Sequence, residues 1–228
     1  MRHAAPSQRV RLTRSPERAA YDRDTIDGIL DEAMVAHLGF VHDGHPFVVP
    51  TLHARVGAVV YVHGSSASRM LRTLVAGAQA CLTATIFDGI VLSRSVYEHD
   101  INYRSVVVLG QLTEVGDEKR KNAALEAFME RLVPGHWAES RPPTQQELKA
   151  TSILQLPIEE ASAKVRTGHP ADADSEDGLL DIWAGHIPVS LRYGEPIADP
   201  ALRHGIPVSQ AATALYCTRR QVPDVRPS

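Results

Sequence analysis

Across residues 35–63, apolar and β-branched positions alternate with polar ones: "VAHLGFVHDGHPFVVPTLHARVGAVVYVH". A period of two predicts strands, and Asp43-Gly44 is a strong hairpin signal. With a second break at Arg55-Val56-Gly57, the run reads as three consecutive antiparallel strands, 35–42, 46–55 and 57–63. The same logic predicts a hairpin in "ACLTATIFDGIVLSRSVY", turning at Asp88-Gly89. "NYRSVVVLGQLTEV" reads as one strand and "TSILQLPIEEASAKVRTG" as a final long strand.

Helical spacing is confined to short stretches. Ile26, Ile29, Leu30 and Ala33 follow a possible cap at Asp24, and residues 68–77 form a short helix ending at Gly77. Asp117 caps a helix over 118–132 with Ala124, Leu125, Phe128 and Leu132 on one face, and Thr144 caps a shorter one. Six or seven strands in hairpins with few helices predict a mainly β fold. The expected form is an antiparallel split β-barrel, closed or partly closed, with short peripheral helices. There is no strand–helix–strand alternation and no G-x-G-x-x-G, which excludes a dinucleotide-binding sheet. The expected organisation is a flexible arm over 1–20, one domain over 21–195 and a C-terminal tail over 196–228.

Composition narrows the class. A chain of 228 residues with 43% hydrophobic content can bury one good core. A formal net charge of -3 provides no global basic surface for nucleic acid. Two cysteines, Cys81 and Cys217, make no disulfide framework, which suits a reducing compartment. No apolar run reaches membrane-spanning length and no secretory segment is evident, so the expected setting is cytoplasmic, with no membrane partner.

Three stretches carry candidate chemistry. In "HGSSASRML", Ser65, Ser66, Ser68 and Arg69 sit between a strand and a helix. Hydroxyls, backbone N–H groups and a guanidinium together suit a phosphate monoester. A serine helix cap beside a solvated arginine is the plain alternative. In "INYRSVVVLGQ", Arg104 and Ser105 open an otherwise apolar strand, either as a strand edge or as a second pair feeding the same anion site. "LLDIWAGHIP" places Trp183 in a polar tail, where it either anchors the tail or covers a ligand. Histidines number 11, but His42 and His45 face each other across a turn without partner ligands, so no metal site is expected. His63 ends a strand beside the serine loop, as a packed histidine or a functional one.

In this order and strand context, the stretches resemble the pyridoxamine 5′-phosphate oxidase-like, FMN-binding split-barrel family, over roughly residues 20–195. The nearest branch is similar to the nitroimidazole-resistance reductases. The resemblance implies that the strand Phe47–Leu52 passes its backbone along the flavin, which involves Val48, Val49, Pro50, Thr51 and Leu52. It places His63 near the ribityl chain and the substrate, and gives the phosphate to Ser68 and Arg69. Met70 stands where the family has a lysine, so Ser66 and Arg104 become compensating ligands. Ser105 matches a polar cofactor contact, and Trp183 with Gly185 matches a Trp-x-Gly that packs over the flavin from the other subunit of a homodimer.

The family's substrate-binding lysine and Arg-x-His pair are replaced by Leu52, Val189 and Leu191, with Arg192 nearby. The resemblance therefore implies an FMN-dependent oxidoreductase acting on a small planar organic acceptor, and not a true pyridoxamine phosphate oxidase. The alternative is a carrier that holds flavin, or another planar cofactor such as haem, without turnover.

Overall fold

A computed structural model of the chain describes residues 4–220. The outer ends of the expected arm and tail, residues 1–3 and 221–228, lie outside the described residues. After a two-residue strand, β1 (Ala19–Ala20), comes helix α1 (Arg23–Glu32). Its cap is Asp22, whose carboxylate accepts the Thr25 N–H at 2.8 Å. Asp24 lies instead in the first turn, where its charge complements the helix dipole. Strands β2 (Ala36–His42) and β3 (His45–Thr51) meet at Asp43 and Gly44, both at positive φ, as the expected hairpin requires. β4 (His53–Val56) and β5 (Val59–Ser65) pair across Gly57, also at positive φ.

Helix α2 (Arg69–Val75) leads into the long strands β6 (Gln79–Leu92) and β7 (Asp100–Gln111), then β8 (Thr113–Glu114). Helix α3 (Glu118–Leu132) is capped by Asp117, and α4 (Gln145–Ala150) by a reciprocal Thr144–Glu147 capping box. β9 (Thr151–Pro157), β10 (Glu160–Arg166), β11 (Gly185–Pro188) and helix α5 (Gln210–Arg220) complete the described chain.

The strands form two antiparallel sheets. One runs β1-β10-β7-β6-β2-β3, with β11 also pairing β6, and the other runs β4-β5-β9-β8. Leu38, Leu82, Val106 and Val108 from the first sheet meet Val60, Val62, Leu154 and Leu156 from the second, all fully buried. Each such side chain contributes about 1.5–3 kcal/mol through burial. The mainly β, antiparallel architecture is as expected, with the strands divided between a seven-stranded and a four-stranded sheet. The outer face of the smaller sheet is covered by α3: Ile153 and Val115 pack with Ala124, flanked by Tyr61 and Leu125. No helix among the described residues is long and apolar enough to cross a membrane.

Several local expectations are corrected. Asp88-Gly89 is a bulge inside β6, where the register against β7 shifts between Phe87 and Gly89. A Cβ on Gly89 would come within 2.6 Å of the Ile187 carbonyl, so the close approach of β11 demands glycine there. The expected strand 46–55 breaks at Leu52, because β3 joins one sheet and β4 the other. "TSILQLPIEEASAKVRTG" likewise splits into β9 and β10, on different sheets. Residues 8–20 lie against the barrel: Val10 is buried, and Ala19–Ala20 pairs with β10. In the acidic loop, Asp172 is buried and accepts hydrogen bonds from Ser93 Oγ (2.5 Å) and the Arg94 N–H (2.7 Å).

Candidate functional site

Among the described residues β3 pairs only with β2, and its other edge carries no strand. Pro46 and Pro50 lack N–H donors and blunt that edge against pairing with another chain. Phe47 and Val49 pack toward the core, while Val48 is 67% exposed. Val48, Val49, Pro50 and Thr51 therefore lie on an open edge, and Leu52 follows at the break between the sheets.

A cleft opens at the Phe47 end of β3. The chain leaves β5 in a tight turn in which the Ser68 N–H donates to the Ser65 carbonyl (2.8 Å) and the Ser66 N–H to the Ala150 carbonyl (2.9 Å). Ser68 occupies the N-cap position of α2, yet its hydroxyl makes no capping bond. The Arg69 guanidinium lies 4.4 Å over the Phe47 ring, a cation–π contact. Arg72 follows at helical spacing i+3 and lines the same cleft of about 740 Å³, beside His42 and Thr73. Among the described residues neither arginine forms an ion pair. Two uncommitted guanidiniums at an open cleft are suited to an anion.

Arg104 does not join them within one chain. Its Nε and Nη2 donate to Asp88 at 2.9 and 2.7 Å, and Nη1 and Nη2 to Glu32 at 2.5 and 2.8 Å. These carboxylates raise its pKa further and hold it charged. Arg104 pairs with Ile86, six residues along β6 from Ala80, the partner of Phe40. Six strand residues span about 20 Å. Ser105 Oγ reaches only the Lys164 carbonyl, at 3.4 Å. Trp183 is 67% exposed, its ring so close over Gly185 that a Cβ there would lie 2.9 Å from it.

His63 faces a different space. Alternation along β5 buries Val60 and Val62 in the barrel and turns Tyr61 and His63 toward α3. The His63 ring lies 4.4 Å from that of Phe128, centroid to centroid. It lines a largely apolar cavity of about 650 Å³ with Leu52, Phe128, Met129, Leu132 and Trp137. Arg141 also lines it and is paired with Glu147 at 2.5 and 2.8 Å. Nδ1 of His63 is buried and has no hydrogen-bond partner among the described residues. Burial lowers the His63 pKa, so the imidazole is neutral at pH 7, with a lone pair available.

β3 connects the two spaces, because Phe47 lies under Arg69 and Leu52 is in the cavity wall. The five residue steps from one to the other span roughly 17 Å. The sequence reading did not anticipate the cavity: Phe128 and Leu132 were legible as an apolar helix face, and Trp137 as a residue beyond a helix end. The cue was that this face has an aromatic neighbour just past the helix. No group of three or more metal-ligating side chains gathers among the described residues, and His42 shares a 2.9 Å hydrogen bond with Thr73.

The family described as Pyridoxamine 5′-phosphate oxidase matches residues 22–165. The solved structure of the flavocytochrome Anf3 from Azotobacter vinelandii is similar at 40% identity and TM-score 0.88, over 92% of this chain and 98% of that one. The FAD and haem binding protein from Mycobacterium smegmatis is similar at 36% identity and TM-score 0.83, over 87% and 97%. A 5-nitroimidazole antibiotic resistance protein homologue from Bacteroides thetaiotaomicron, 18% identical with TM-score 0.56 over 64% and 86%, shares the fold alone. No curated protein matches the sequence.

Proposed function

This chain belongs to the pyridoxamine 5′-phosphate oxidase-like family, and from that premise we propose that it is an oxidoreductase carrying both a flavin and a haem. The single observation behind this reading is the open edge of β3, which runs from the Arg69–Arg72 cleft to the apolar His63 cavity. Support comes from two extensive likenesses, a flavocytochrome and a FAD and haem binding protein.

Both sites fit. The cleft offers two unpaired guanidiniums and an unused Ser68 hydroxyl to a phosphate or pyrophosphate. The His63 cavity offers apolar walls and an imidazole with an orphaned buried nitrogen. A bound flavin supplies transfer of electron pairs, and a bound haem supplies one-electron chemistry. The chain's own part is to bind and position. Arg69 and Arg72 neutralise the phosphates, and Ser66 and Ser68 offer hydroxyls. The backbone of Val48–Leu52 would line the flavin. His63, neutral, would ligate the iron, and Phe128, Leu132 and Trp137 would supply apolar contact to the haem face.

The second arginine favours FAD, whose two phosphates spread their charge over a longer stretch than the single phosphate of FMN. Arg104, held by two carboxylates, contributes to the scaffold of its own chain. Leu52, Val189 and Leu191 supply no cation for a pyridoxine phosphate, so the acceptor is a different small planar molecule.

A homodimer completes the reading. Val48 and Trp183, each 67% exposed, and Val96 and Tyr97, 87% and 91% exposed, are apolar groups that a second copy would cover. The test is direct. Purified protein is expected to release FAD on denaturation, to show a Soret band beside the flavin absorption, and to scatter light as a dimer. Release of FMN alone, with no Soret band after haemin is added, would reduce the protein to a single-cofactor flavoprotein.

A further inference from the structure

We infer that α5 is a clasp: through Glu139 it holds in place the outer wall of the His63 cleft, which is open to solvent. The identity of the occupant rests on the haem reading above, whereas the clasp rests on contacts within the chain. The cavity's inner walls belong to β5 and α3 and cannot move without opening the core. Its outer wall is different. After α3 the chain turns at Gly135, at positive φ, and residues 136–143 reach α4 without a regular helix or strand. This segment supplies Trp137, Ser140 and Arg141 to the cavity.

Besides the Arg141–Glu147 pair toward α4, the segment is fixed from two sides. From α3, Glu130 accepts the N–H groups of Gly135 (2.7 Å) and Trp137 (3.4 Å). From the C-terminal side, Glu139 Oε1 accepts the Ala211 N–H at 2.9 Å, in the first turn of α5. Ser209 Oγ accepts the Ala212 N–H at 3.0 Å and lies 3.4 Å from His136 Nδ1. Ala211 is buried, and a Cβ on Gly135 would sit 3.8 Å from its methyl group. The bonds to Ser209 and Ala211 also hold the Glu139 carboxyl below its ordinary range. One carboxylate thus ties a helix more than 70 residues away in sequence to the stretch that carries Trp137. A wall held by few contacts opens before the barrel does. An occupant packed against this wall is therefore released faster when α5 lets the wall go.

The test uses the full chain. Glu139→Ala removes the anchor, and Ala211→Asp sets a second carboxylate against it. Glu139→Gln keeps an acceptor oxygen for the Ala211 N–H. Haemin-loaded proteins are mixed with excess apomyoglobin and haem transfer is followed. Separately, acrylamide quenching of Trp137 is read in a Trp183→Phe background without added haem. Glu139→Ala and Ala211→Asp are expected to accelerate transfer severalfold, the effect of losing one hydrogen bond to a solvated carboxylate, and to raise quenching. Flavin content should not change, and Glu139→Gln should stay near the wild type. Unchanged transfer and quenching in folded variants would overturn the clasp. A protein that takes up no haem would overturn the haem reading instead, and the quenching experiment would still decide the clasp.

Discussion

Arg69 and Arg104 are both arginines beside a serine near the end of an element, and both read in sequence as anion ligands. The fold treats them oppositely. Arg69 stacks on Phe47 at an open cleft with no carboxylate attached, and Arg72 lies beside it. Arg104 is closed off by Asp88 and Glu32. The neighbouring polar seam beneath α1 is closed only in part, since Arg131 Nε and Nη1 and His53 Nδ1 are buried without partners among the described residues. There Arg131 donates to the carbonyls of Leu30 and Ala33, and His53 Nε2 bonds the Leu30 carbonyl at 2.8 Å. A cation with all its partners inside the chain contributes to stability, and one without them is available to a ligand.

The largest expected effect lies in the open region. Arg69→Ala combined with Arg72→Ala is expected to weaken FAD binding at least about a hundred-fold, from about 1.5–3 kcal/mol per charged hydrogen bond. The urea midpoint should barely move. Fluorescence titration gives the affinity, and wild-type binding by the double variant would remove the cleft from the flavin site.

The next effect belongs to the seam beneath α1. Burial, and then the Arg131 charge, lower the His53 pKa from 6.5 to about 4. Between those values the unfolded chain binds the proton and the folded chain does not. The stabilisation is therefore full above about pH 6.5 and is lost as pH falls toward about 4, a change of about 3 kcal/mol. Urea unfolding at pH 7.5 and 4.5 is expected to show a smaller loss for His53→Gln than for the wild type. Equal losses would mean that His53 is not the titrating group.

A smaller effect follows at Arg104. Arg104→Ala should cost about 1–2 kcal/mol, limited because Glu32 is partly solvated, and should leave FAD affinity unchanged. A loss of affinity without a loss of stability would reverse the contrast between the two arginines. Smallest of all, Ser68→Ala should cost less than about 0.5 kcal/mol of stability, below the usual value for a cap, since its hydroxyl caps nothing. A full cap penalty in denaturant titration would count against an unused hydroxyl.

What could be read from the sequence was local. The hairpin at Asp43-Gly44, the caps at Asp117 and Thr144 and the helix face of Ala124 and Phe128 depend on neighbours a few residues apart. Asp88-Gly89 misled because a bulge and a hairpin turn call on the same residue pair. Only the approach of Ile187, almost a hundred residues on, separates the two. The partners of Arg104 are equally distant in sequence, since Glu32 is 72 residues away. Trp137 shares a cavity wall with His63 because α3 folds back over β5. Residue types were legible in these places, but their partners were set by the pairing of distant strands.

The central claim is that one strand edge joins two cofactor sites, the second organised by His63. Its most direct test is a haemin titration of FAD-loaded wild type and His63→Ala, followed by absorbance. The account predicts a saturable Soret band in the wild type, its loss in His63→Ala, and the same flavin absorption in both. A Soret band of equal intensity and position in His63→Ala, or none in the wild type, would contradict it.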